Sequence, residues 1–243
     1  MQKTIMKKIA IHQSNYIPWR GYFDLIASVD EFIIYDDMQF TKNDWRNRNK
    51  IKTPKGLEWI SIPVGIDIKQ RIRDVRLLRN GWNIKHWKML ELNYSRSPFF
   101  YEIKKWLEPI YLSEKHTYLS SFNRELIEAI CSYLKIKTRI SNSWDYNLIE
   151  GKTARLVDLC NQSGAGEYLS SPSAKVYLEE SLFLKSNIKL TWFGYEEYCS
   201  YKQLWDAEFQ ANVSILDLLF NCGESSGDYM QCAPKFSKIA SNL

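Results

Sequence analysis

The chain has 243 residues, 45% of them apolar and 25% charged, with a formal net charge of +5. That length supports one large domain with a sizeable core, and the composition excludes a disordered tail. No run approaches the roughly 18 consecutive apolar residues of a transmembrane helix, and the apolar stretch after the basic start, Ile9 to Ile11, is too short for a signal-peptide core. A cytoplasmic protein is expected. Cys131, Cys160, Cys199, Cys222 and Cys232 form no CxxC pair and no zinc spacing, so reduced thiols are the default.

Residues 8–12 read as a short buried strand that runs through a turn region at 13–18 into a helix over 19–28. Pro18 suits that helix's first turn, and Trp19, Tyr22, Phe23 and Ile26 share its buried side. The next strand, 31–35, ends in the acidic pair Asp36 and Asp37. Strand, loop, helix, strand is the unit of a parallel sheet. A different grammar follows: 47–52 and 57–62 form a β-hairpin across a turn in which Pro54 and Gly56 suit type I geometry. Residues 72–78 are a candidate third strand beside it.

Ile84, Trp87, Leu90 and Tyr94 recur at helical spacing, as do residues 99–111 and, most clearly, Leu119, Phe122, Leu126, Ile130 and Leu134. A strand at 138–140 precedes a helix over 152–163 with Gly164 as its C′ residue. Short strands at 167–169 and 188–192 flank another helical piece. Ser214 and Asp217 read as a capping box opening a helix that Gly223 closes. The expected fold is therefore α/β: a Rossmann-like parallel sheet of five short strands flanked by helices. It forms one domain over 1–243, with an antiparallel β-hairpin insertion at about 45–80.

Charge is unevenly spread. Between residues 42 and 88 there are thirteen Lys/Arg and four Asp/Glu, a local excess of +9 that leaves the rest of the chain at −4. Such a segment suits an anionic partner, whether a phosphorylated metabolite, a nucleotide or a nucleic acid. A solvated hairpin with snorkelling side chains is the plainer alternative.

Ligands of open α/β sheets collect at the carboxyl ends of the strands. Here the first strand ends at His12 and Gln13, followed by Ser14, Asn15 and Tyr16; the second ends at Asp36 and Asp37, with Gln39, Lys42, Asn47 and Arg48 close behind. A carboxylate pair there could bind Mg²⁺, orient an amine or accept a proton. Alternatively, Asp36 caps a turn and Asp37 pairs with an arginine of the hairpin region. Arg48, between Asn47 and Asn49, offers a planar fork for carboxylate or phosphate. No GxSxG or Cys/His nucleophile signature is present, and no zinc finger, RNP-type strand or helix-turn-helix is legible. Cys131 and Cys160 fall on apolar helix faces as core residues.

The segments IHQSNYIPWRGYF at 11–23, Asp30 with Phe32, Asp36 with Asp37, and WRNRN at 45–49 resemble the opening signature of the WbqC-like family. The pieces SPFF at 97–100, GKTARL at 151–156, YLS at 168–170 and the stretch 204–221 continue the resemblance over nearly the whole chain. It implies a transferase of bacterial surface-polysaccharide (O-antigen, lipopolysaccharide) biosynthesis, attaching an acyl or aminoacyl group, glycyl being one suggestion, to a nucleotide-linked amino sugar. On that expectation Asp37 or Asp36 is the catalytic base, with His12 next in line. Gln13, Asn15, Tyr16, Tyr22, Lys42, Asn47 and Arg48 bind substrate. No metal site and no cofactor is named by the motifs. The partners are the sugar nucleotide and an activated donor, an adenylate, a thioester or a charged tRNA. A non-catalytic sugar-nucleotide-binding protein and an RNA-binding module are the rival readings. The opening is also similar to nucleotidylyltransferases with an HxGH-type motif, but Trp19 and Tyr22 stand where the two histidines would fall. Without those phosphate donors, adenylation by this chain is in doubt.

Overall fold

A computed structural model describes residues 6–65, 67, 69–195, 198–205 and 208–235. Strands β1 (Lys8–His12), β2 (Glu31–Ile34), β5 (Arg139–Asn142), β6 (Glu167–Ser170) and β7 (Lys189–Trp192) form one sheet in the order β5-β2-β1-β6-β7. Every pairing in it is parallel. A separate two-stranded sheet joins β3 (Arg48–Thr53) to β4 (Gly56–Ser61), antiparallel. The fold is the expected parallel α/β sheet with a hairpin insertion.

Side-chain alternation makes the sheet two-faced. Ala10, Phe32 and Ile34 face one core, shared with helices α1 (Arg20–Ala27), α2 (Trp82–Tyr94), α3 (Phe100–Leu112), α4 (Leu119–Tyr133) and α7 (Ile215–Cys222) and with Ile51 and Ile60 of the hairpin. Ile9, Ile11, Ile33 and Tyr35 face the second core, filled by Leu156, Val157, Leu159 and Cys160 of α5 (Thr153–Gln162) and Phe183 of α6 (Glu180–Lys185). Helices on both faces leave the central strands without a wet side. This is why β2 reads as a continuous buried run and not as an alternating one.

In sheet order the five strands follow the 3-2-1-4-5 pattern of a doubly wound fold, so the direction of winding reverses between β1 and β6. Those two strands also part company early. β1 pairs with β2 as far as His12↔Ile34, but with β6 only at Lys8↔Glu167 and Ile9↔Tyr168. A crevice opens where they diverge.

Four local expectations need correcting. Residues 72–78 are not a strand: Ile72–Asp74 is a 3-10 turn, which sinks Ile72 and Val75 into the core at three-residue spacing. Isolated bridges at Gln39↔Arg71, Val64↔Leu77 and Arg76↔Tyr118 hold that segment instead. The first helix begins at Arg20 with Trp19 as N-cap, so Pro18 lies outside its first turn. The 138–140 strand is displaced to Arg139–Asn142 and forms the sheet edge. The Ser214 box is half made: its hydroxyl accepts from the Leu216 amide at 3.2 Å, but its own N–H donates to the Lys50 carbonyl at 2.9 Å. The Asp217 carboxylate is drawn away by the Tyr94 and Tyr201 hydroxyls and the Gln203 amide.

Candidate functional site

The crevice at the β1/β6 switch point is a cleft with two lobes. One, of about 630 Å³, is lined by Gln13, Tyr35, Lys152, Arg155 and Tyr177 among others; the second, of about 570 Å³, by Asn15, Trp19, Tyr22, Trp45, Lys50 and Tyr195 among others. His12, Arg46, Ser171 and Ser173 line both. Each lobe falls within the range of about 300–1,000 Å³ usual for small-molecule sites.

His12 sits at the waist because β1 ends there. A carbonyl can only accept, so the 3.0 Å contact between His12 Nδ1 and the Gln13 carbonyl puts the proton on Nδ1. In the neutral ring Nε2 is then the acceptor. Burial, and next the Arg46 charge, hold the imidazole down at about 4, so it is neutral near pH 7. The Tyr22 ring meets it edge-on with centroids 5.4 Å apart, and the Tyr22 hydroxyl donates to the same Gln13 carbonyl at 3.0 Å.

Arg46 is the buried cation of the cleft. One terminal nitrogen donates to Asn15 Oδ1 and the other lies 3.7 Å from Asp44, while Nε is buried without a hydrogen-bond partner. Burial lowers its pKa, so the guanidinium is held at a desolvation cost that an anion would relieve. In the first lobe, α5 runs back from the carboxyl edge of the sheet. Its N-terminal end therefore brings Gly151, the N-cap Lys152 and Arg155 of the first turn to the cleft, with the positive end of the helix dipole. The second lobe is aromatic: Trp19 lies 5.3 Å from the Tyr195 ring, and Trp45 stands 5.5 Å from Trp59.

Of the residues expected from sequence, His12, Gln13, Asn15 and Tyr22 line the cleft. Asp36 does not. It is fully buried, and its carboxylate accepts from the Ser14 amide (2.8 Å), the Ser14 hydroxyl (2.6 Å) and the Ser120 hydroxyl (2.5 Å), tying β1 and β2 to α4. Burial raises its pKa against these hydrogen bonds. Asp37 accepts from the Ser143 hydroxyl at 2.7 Å and pairs with Arg73 at 3.1 Å and Arg71 at 3.4 Å. Tyr16 is core, its hydroxyl 2.8 Å from His86 Nδ1 and 2.7 Å from the Tyr111 hydroxyl. Asn47 donates to the Ile62 carbonyl, Arg48 lies over the Trp59 ring, and Lys42 is exposed on a loop; none of the three lines the cleft. Arg46, Lys152, Arg155, Ser171 and Ser173 were not singled out individually. Arg46 stands two residues from Arg48 within the same WRNRN motif, and Lys152 and Arg155 lie inside the GKTARL motif. Among the described residues no three His, Cys, Asp or Glu side chains gather into a metal-binding group, and no helix is long and apolar enough to cross a membrane.

The chain is 58% identical over 228 residues to the uncharacterized protein Rv1507c of Mycobacterium tuberculosis, covering 93% of this chain and 98% of that one. No solved structure matches it significantly. The family model described as WbqC-like matches residues 13–229, a span that begins one residue after His12 and takes in the rest of the second lobe, most of the first, the hairpin and α7. The chain belongs to the WbqC-like protein family.

Proposed function

We propose that the switch-point cleft binds a nucleotide-linked amino sugar, and that the protein is an acyl- or aminoacyltransferase of bacterial surface-polysaccharide (O-antigen) biosynthesis. The cationic lobe takes the diphosphate on Arg46, Lys152, Arg155 and the α5 N-terminus. His12 is the base, and this is the observation that carries the reading: a neutral imidazole with Nδ1–H engaged by the Gln13 carbonyl leaves an acceptor nitrogen at the waist of a two-lobed cleft. A sugar ammonium is not nucleophilic until deprotonated. His12 Nε2 takes that proton, the amine lone pair attacks the acyl carbonyl and the C–N bond forms. The bond from the acyl carbon to its carrier then breaks, the carrier leaving with that electron pair while the nitrogen releases its second proton to the departing carrier or to solvent. A nitrogen held at about 4 is a weak base, but part of that depression comes from Arg46. An anionic substrate on Arg46 offsets this part and strengthens the base on arrival. Asp36 and Asp37, expected from sequence as the base, are here framework carboxylates.

The test is turnover of nucleotide-linked amino sugars with acyl-adenylate, acyl-thioester and aminoacyl-tRNA donors, followed by mass spectrometry of the amide. His12→Ala should lower turnover by about 100-fold or more while sugar-nucleotide binding persists. Full turnover in that variant would move the base elsewhere. Tight binding with no turnover from any donor would favour the rival reading, a sugar-nucleotide-binding protein of the same pathway.

A further inference from the structure

The hairpin carries a surface that the cleft chemistry above does not use. In the β3–β4 register Lys50 faces Trp59 and Arg48 faces Ser61, so these four side chains share one face of the ribbon. Asn49, Ile51 and Ile60 turn to the other face and are buried. On the outward face the Arg48 guanidinium carbon lies 4.1 Å from the centre of the Trp59 ring and the Lys50 ammonium 5.0 Å from it. Trp45 adds its ring at 5.5 Å, tilted by 39°. Both tryptophans remain 43% exposed. Among the described residues neither Arg48 nor Lys50 has a carboxylate within ion-pair distance, and Arg48 Nε has no hydrogen-bond partner.

Two half-exposed indoles flanked by two unneutralised cations describe a specific complement. The ligand must carry a flat aromatic ring and a negative charge beside it. A pyranose alone would use the rings and leave the cations idle; an acidic peptide would use the cations and leave the rings idle. The surface is also continuous with the cleft, because Trp45 and Lys50 line the aromatic lobe whose inner end is His12.

We infer that this hairpin face is a second nucleotide-recognition site, which binds the base and phosphate of the activated acyl donor and points its acyl end down the aromatic lobe toward His12. The inference rests on the transferase reading and extends it: the sugar nucleotide enters from the α5 side and the donor from the hairpin side. Three carriers of acyl groups activated for amide formation, the adenylate, the coenzyme A thioester and the terminal adenosine of tRNA, have the ring and the charge that this face complements. The shared chemistry is thus an adenosine bearing phosphate.

The probes are AMP, coenzyme A and a short RNA ending in CCA, with UDP as probe of the cationic lobe, all titrated calorimetrically against the full chain. Trp59→Ala and Arg48→Glu should each weaken at least one adenosine probe by about ten-fold or more, and leave UDP affinity unchanged, which also reports that the variants are folded. Arg48→Lys should fall between, since it retains charge and loses the planar fork. A preference for AMP, coenzyme A or the RNA separates the three donor sources, and a steep salt dependence marks the RNA. UDP binding with no adenosine probe bound, or adenosine binding indifferent to Trp59 and Arg48, overturns the second site and leaves the transferase reading standing. Failure of UDP and the adenosine probes together overturns both.

Discussion

Replacing Asp36 separates a framework carboxylate from a catalytic one without any substrate in hand. The carboxylate has no exposure to solvent and accepts three hydrogen bonds, from the Ser14 amide, the Ser14 hydroxyl and the Ser120 hydroxyl. Asp36→Ala leaves the Ser14 N–H buried without an acceptor and cuts the link from the β1 and β2 ends to α4. Hydrogen bonds to a charged acceptor are worth about 1.5–3 kcal/mol each, but burial of the charge opposes them, as its raised pKa records. The expected net loss is therefore about 3–5 kcal/mol, about 1–3 kcal/mol for a buried donor left without its acceptor plus the lost hydroxyl contacts and the void left by the carboxylate. For a chain of this length that corresponds to a melting temperature lower by roughly 6–20 °C. Asp36→Asn should cost less, about 1–2 kcal/mol. Its amide oxygen can still accept from the Ser14 amide, and the two serine hydroxyls can rotate to accept from its NH₂. Urea denaturation of the three proteins, read by tryptophan fluorescence and far-UV circular dichroism together, measures the difference. If Asp36→Ala stays within about 1 kcal/mol of the parent while cleft ligands cease to bind, the carboxylate works in the site and the framework assignment is wrong.

Two further outcomes follow from the same geometry. His86, fixed between the Tyr16 hydroxyl and the Ser61 carbonyl, is held at about 4 by burial, as is His12. The unfolded chain takes these protons near pH 6.5 and the folded chain resists them, so this stability is present above pH 6.5 and is lost progressively down to about pH 4. It amounts to about 3 kcal/mol for His86. Asp36 and Asp217, pushed upward by burial, act in the opposite direction, so the measurement is the difference in pH slope between the parent and His86→Gln. Parallel slopes would disprove the assignment. Gly21→Ala places a methyl 2.4 Å from the Trp19 indole, which must swing out of the aromatic lobe. Unfolding free energy should fall by about 1–3 kcal/mol, and tryptophan emission should shift; an unchanged spectrum with unchanged stability would show that the indole does not pack over Gly21.

The β1–α1–β2 unit, the hairpin and α4 were legible because their patterns are local: buried runs at 9–11 and 31–34, a Pro-Gly turn, and an apolar stripe at helical spacing. The cleft lining was most legible where position alone decides direction, with Asn15 and Tyr22 reached through the same opening motif. His12 and Gln13 end a strand and must face the edge of the sheet. The fate of Asp36 and Asp37 was settled by residues far along the chain, Ser120 of α4 for one and Arg71, Arg73 and Ser143 for the other. Nothing next to a strand end announces which distant donors will claim it. The same holds for Tyr16, taken into the core by His86 and Tyr111.

Arg46 and Arg48 show the limit most clearly, because they share one motif and differ by two residues. Arg48 belongs to β3, where pairing with β4 turns it outward onto Trp59. Arg46 belongs to the turn before β3, outside any period-two rule, and bends back to Asn15 in the cleft. Residue type and spacing favour Arg48, with an amide on each side; backbone placement favours Arg46. The carboxyl-edge rule finds the edge of the sheet at which the cleft opens, but it does not say which two strands part there. That depends on the order β2-β1-β6, set by where the chain goes after β5, and the charged groups of the second wall ride on that choice. Lys152 and Arg155 reach the cleft because α5 crosses to the face opposite α1 before β6 joins β1. Had α5 packed on the α1 face, β6 would have extended the β5 edge, and the same GKTARL segment would have faced away from His12.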